Sequence, residues 1–100
     1  MQLFAQPFPV YESWVKRNRG MMQWQIGKTA QAHRSFERSL GAALRFKMPY
    51  DEGLARYEIG RHLPALNPAR RTHLQSAIDI FSRLNAAYDL ARAQAALEQD

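Results

Sequence analysis

Two segments of this 100-residue chain repeat each other. "SLGAALRFKMPYDE" (39–52) aligns with "AIDIFSRLNAAYDL" (77–90) without a gap. The matched pairs are Leu40/Ile78, Ala42/Ile80, Ala43/Phe81, Arg45/Arg83, Phe46/Leu84, Tyr50/Tyr88 and Asp51/Asp89. Each segment reads as the end of one helix, a turn, and the start of the next. A second echo pairs Gly20 in "RNRGMMQ" with Gly60 in "YEIGRHL" at a slightly longer offset. Such a chain is tightly constrained. One helical hairpin cannot bury its own apolar face, so successive hairpins must stack.

The punctuation between repeats sets the helices. Pro7 and Pro9 make residues 1–9 an extended lead-in. A first helix is expected from Val10 to Ile26, with Trp14, Met21 and Met22 as apolar anchors, closed by Gly27. A second runs from Lys28 or Thr29 to Lys47, with Ala32, Phe36, Leu40, Ala43, Leu44 and Phe46 on a wide apolar stripe. Pro49 breaks it. A third starts at Tyr50, with Asp51 and Glu52 complementing the dipole of its first turn, and stops at Pro64. "LNPARR" is the clearest helix start, with Asn67 as cap and Pro68 as first residue. Leu74, Ala77, Ile78, Phe81 and Leu84 then mark the fourth helix, and Ala86, Leu90, Ala93 and Leu97 the fifth. No strand alternation appears. The expected class is all-α: antiparallel hairpins at 10–47 and 50–84, and a capping helix at 86–98.

Gly20, Ala32, Phe36 and Ser39 have the spacing of a glycine in helix A followed by small, aromatic and small residues in helix B. In the next unit Gly60 is followed by Ala77, Phe81 and Leu84, so the "LNPARRTH" turn reads about five residues longer. This pattern resembles the tetratricopeptide repeat family over roughly residues 12–98. Lys16 and Arg56 stand where the family places an early aromatic. The segments "AHRSFERSL", "MPYDEGLARYEIGRHL" and "NAAYDLARAQAAL" resemble the degenerate C-terminal arrays of multidomain bacterial signalling proteins. Those proteins carry STAND- or AAA-type ATPase, class III nucleotide cyclase, kinase or LuxR-type modules. The resemblance implies a short solenoid, close approach of helix B at Gly20 and Gly60, and a groove lined by the A helices.

Little in the chain points to catalysis. There is no cysteine, which excludes disulfides and thiolate metal sites. His33, His62 and His73 lack the spacing of metal ligands. Glu58 and His62, four apart, read as a surface helix pair, and Arg61 and His62 as last-turn positive charge. Asp51, Glu52 and Asp89 read as helix-start residues rather than acids or bases. Gly27-Lys28-Thr29 ends like a P-loop but has Met22 where the first glycine must be. No enzyme activity, cofactor or metal is expected.

The expected function is a non-catalytic interaction or scaffold module of a larger cytoplasmic signalling protein. No stretch is apolar for long enough to span a membrane, and "MQLFAQPFPV" makes a poor signal peptide. The net charge of +5 is spread from Lys16 to Arg92, as on a solvated basic surface. Lys16, Arg19, Arg56, Arg61, Arg70 and Arg71, with Asn18 nearby, are the candidates to hold a protein or peptide partner, an acidic one fitting guanidinium chemistry. Trp14, Met21, Met22 and Trp24 read first as core. At an uncapped N-terminal end they would instead be exposed, and self-association through that end is expected if no partner covers it. Nucleic-acid binding is the alternative, but no DNA-reading helix pair precedes "NPARRTHLQSAIDIF".

Overall fold

A computed structural model describes residues 9–99 as five helices: α1 (Pro9–Gln25), α2 (Thr29–Arg45), α3 (Pro49–Arg61), α4 (Pro68–Arg83) and α5 (Ala87–Glu98). No strand occurs among the described residues. Of the extended lead-in expected over residues 1–9, residues 1–8 lie outside them. Pro9 belongs to α1, since its fixed φ and missing N–H suit a first turn. Asn67 caps α4 as expected, its side-chain oxygen accepting from the Ala69 amide at 2.9 Å.

Three connections are one repeated turn. Gly27, Lys47 and Asn85 each sit at positive φ (84°, 55° and 57°) just past a helix end. The residue that follows donates its amide back across the last turn: Lys28 to Gln23, Met48 to Ala43 and Ala86 to Phe81, at 2.8–2.9 Å. This double-bonded stop satisfies the carbonyls the helix leaves free. The sequence repeat that aligns 39–52 with 77–90 therefore superposes the same turn at Lys47 and Asn85. The α3–α4 connection differs, running from residue 62 to 67 against 26–28 between α1 and α2. It is three residues longer, since α3 stops sooner after Gly60 than α1 does after Gly20; the spacing that implied five counts to Ala77, which lies well inside α4.

Each helix packs on its chain neighbours, and α1–α3 and α3–α5 also touch. One apolar cluster joins Ala32, Phe36 and Leu40 of α2 to Ala55 and Ile59 of α3. A second joins Tyr57 to Leu74, Ala77 and Phe81 of α4 and to Ala93 and Ala96 of α5. α1 supplies no buried apolar side chain to either.

Close approach holds the hairpins. A Cβ placed on Gly20 would lie 2.6 Å from the Phe36 ring. One on Gly60 would lie 2.7 Å from Leu74 Cγ and 3.2 Å from the Arg70 carbonyl oxygen. The partner of Gly60 is thus Leu74, which stands to Phe36 as residue 77 stands to residue 39 in the repeat. Phe81 faces Gly53 instead, at 2.7 Å. The aromatic matched to Phe36 by the family spacing is therefore not its structural counterpart. Ser13 and Ser39, both fully buried, complete the α1–α2 contact. Ser13 Oγ donates to the Ser39 carbonyl at 3.0 Å, and Ser39 Oγ to the Ser13 carbonyl at 2.8 Å.

Space decides the sign of a glycine substitution here. Gly60→Leu should destabilise the chain by about 1–3 kcal/mol through overpacking. Gly41, mid-helix with nothing within 4 Å of where a Cβ would stand, should behave oppositely. Gly41→Ala should stabilise by roughly 0.5–1 kcal/mol through lost unfolded-state freedom. Urea midpoints that move in the same direction for both would refute the close-approach account.

Candidate partner-binding surface

The inward face of α1 carries Ser13, Arg17 and Gly20, all buried. Its remaining contacts are polar at the edges: Gln23 accepts from Ser35 Oγ at 2.6 Å, and Arg45 donates to Glu12 at 2.7 Å. A serine pair and a glycine let α2 come close, and the one large side chain buried on that side, Arg17, turns to Asp51 of α3. The large apolar side chains stand outward instead. Val10, Tyr11, Trp14 and Met22 are 54–59% exposed, and Val15 and Met21 are also exposed. Trp14, Met21 and Met22 are therefore not anchors in the core. They belong to an apolar face that runs the length of α1, interrupted by Asn18. A contiguous exposed apolar face of this kind is a candidate contact surface.

The six cationic candidates do not gather in one patch. Lys16 and Arg19 lie beside the apolar face of α1, and no acidic side chain among the described residues pairs with either. Arg56 is held by Glu52 at 2.9 Å and lies 3.4 Å from His73 Nδ1. Arg61 pairs with Glu58 at 2.9 Å and lies over the Tyr57 ring. Arg70 is buried and works inside the fold. Its Nη1 donates to the Gly60, Arg61 and Leu63 carbonyls at 3.0–3.2 Å, and its Nη2 to the Ala96 carbonyl at 2.9 Å. One guanidinium thus closes the C-terminal ends of α3 and α5, where positive charge is favoured. Arg71 is exposed on α4.

Sequence patterns also missed a ladder of alternating rings and cations along α3 and α5. Arg92 lies 4.6 Å from the Tyr57 ring centre and 5.3 Å from that of Tyr88. Tyr50 donates to Asp89 at 2.8 Å, and this bond, with burial and the carboxylate charge, raises the Tyr50 pKa. Asp89 is buried, an acceptor for α3 rather than only a helix-start charge. Asp51 lies 3.5 Å from the buried Arg17 and ties α1 to α3. The repeat that pairs Tyr50 with Tyr88 and Asp51 with Asp89 was the available signal. It gave no direction for the side chains.

Glu58 and His62 are not a surface pair either. Both side chains are buried, at 5% and 6% exposure. The His62 ring stacks on Phe36 at 5.0 Å and lies 4.4 Å from Trp24, so it wedges between all three first helices. Its Nδ1–H donates to the Glu58 carbonyl at 2.7 Å. His33 touches the other side of Trp24. Among the described residues no three His, Asp or Glu side chains converge as a metal site. No helix there is long and apolar enough to cross a membrane.

Burial lowers the His62 pKa below its usual 6.5, with Arg61 and His33 adding to the effect and Glu58 opposing it. His73 is lowered likewise, by burial and by Arg56. The unfolded chain then binds more protons than the folded one as pH falls through 6.5. Stability is full above that value and declines below it. The melting temperature should fall on acidification from neutrality to about pH 5, and less steeply in His62→Phe. Parallel pH profiles for the two proteins would remove His62 as the cause. The chain matches no family model, no curated protein and no solved structure.

Proposed function

We propose that this chain is a non-catalytic protein–protein interaction module: a short tetratricopeptide-like solenoid serving as scaffold within a larger cytoplasmic signalling or regulatory protein. The observation that carries the reading is the exposed apolar face of α1, with Trp14, Tyr11 and Met22 each more than half exposed. Further support comes from the contact pattern, in which α1 meets α2 and α3 but neither α4 nor α5. Stacks of repeats pack in this way and leave a whole face of the terminal helix to a neighbour. The arginine–tyrosine ladder on α3 and α5 adds a second, polar stretch along the A helices, where a peptide would be held.

Site-specific photo-crosslinking in the protein's own cell tests this. A benzoylphenylalanine at position 14 should give discrete adducts with another protein. The same group at position 83, exposed at the end of α4, should give none. Trp14→Glu in a separate sample should leave stability within about 0.5 kcal/mol, as expected of an exposed position. Equal adduct patterns from positions 14 and 83 would overturn the reading.

A further inference from the structure

Gly20 and Gly60 each take a close helix at the same point, against Phe36 and Leu74. α1 and α3 therefore play the same part in successive hairpins. Laying α1 on α3 with Gly20 on Gly60 maps Tyr11, Val15, Asn18, Arg19 and Met22 onto Asp51, Ala55, Glu58, Ile59 and His62. In α3 four of these positions, all but Glu58, meet the first hairpin. Asp51 meets Arg17, Ala55 and Ile59 pack on Ala32, Phe36 and Leu40, and His62 stacks on Phe36. The chain thus contains its own pattern for what fits on α1: a helix whose apolar residues recur at i, i+4 and i+8.

The same mapping shows where the outer face departs from the pattern. Ile59 is buried, but its counterpart on α1 is the exposed Arg19. Glu52 neutralises Arg56 at 2.9 Å in α3. Their counterparts on α1 are Glu12 and Lys16, and Glu12 is drawn instead to Arg45 at 2.7 Å. Lys16 and Arg19 are left beside an apolar face with no acid among the described residues to meet them. A covering helix must therefore bring its own carboxylates. A second copy of this chain brings more cations than acids to such a contact, with only Glu37 exposed between Arg34 and Arg38 on its α2. Its α1 would bring another Lys16 and Arg19, and the outer side of its α2 carries Arg34 and Arg38.

Taking α1 as the contact surface proposed above, we infer that its partner is an amphipathic helix of another protein, with an apolar i, i+4, i+8 stripe edged by Asp or Glu. The helix lies across Tyr11, Val15 and Met22, and its acids pair with Lys16 and Arg19.

Two synthetic peptides as long as α2, 17 residues each, test this against the full chain. Both carry Ala, Phe and Leu at the spacing of Ala32, Phe36 and Leu40; one is edged with glutamate, the other with lysine. Titration calorimetry at low salt should show the glutamate peptide binding at least about tenfold more tightly, as expected for paired charges at an interface. Arg19→Glu should reverse the preference. Val15→Asp should weaken both peptides, with the helical circular dichroism of the chain unchanged. Equal affinities, or no reversal in Arg19→Glu, would overturn the acidic edge. A concentration-dependent dimer that excludes both peptides would assign the face to a second copy and overturn the proposal. If neither peptide binds while position 14 still crosslinks in cells, this partner is wrong and the interaction reading stands.

Discussion

Two buried serines face each other across α1 and α2, each hydroxyl donating to the other's backbone carbonyl at 2.8–3.0 Å. Two turns further along α1, Gly20 leaves room for the Phe36 ring. Together they fix the separation of the first hairpin, and much of the structure follows from that separation. Phe36 is held fully buried, where it can stack on His62 and join Ala55 and Ile59. The second hairpin repeats the device with Gly60 against Leu74 and Gly53 against Phe81. Small residues at helix contacts cost helix propensity, about 1 kcal/mol for each glycine. They are retained where the facing side chain has nowhere else to go.

The helices were legible because their ends are marked by residues with few alternatives. Asn67-Pro68 can begin a helix well, and Gly27 can take the positive φ that ends one. The repeat was legible too, and the structure gives it a cause: Lys47 and Asn85 close the same double-bonded turn. Nothing about Lys47 itself announces a left-handed residue. Only its alignment with an asparagine hints at it.

The site was less legible, for a physical reason. Reading periodicity from hydropathy assumes that the largest apolar residues point inward. On α1 the inward positions go to Ser13, Arg17 and Gly20, which hydropathy scores as polar or neutral. Arg70 misleads in the same way. An arginine in the first turn of a helix reads as a surface charge, yet here carbonyls from the ends of two other helices converge on it. Which carbonyls will converge depends on how α3 and α5 sit beside α4, and no local pattern carries that.

The position of α1 follows from these constraints together. Its large apolar side chains cannot turn toward α2, because doing so would push α2 away and break the serine bonds, leaving two buried hydroxyls without partners. Nor can the remaining helices reach them, since α1 touches only α2 and α3. Burying a side chain the size of Val or Met completely is worth about 1.5–3 kcal/mol. With the inward side of α1 taken, Trp14 and Met22 stay more than half exposed, and a surface laid over them would bring that gain. Lys16 and Arg19 then decide which surfaces can come, because any partner that covers the apolar face must also meet two positive charges at its edge.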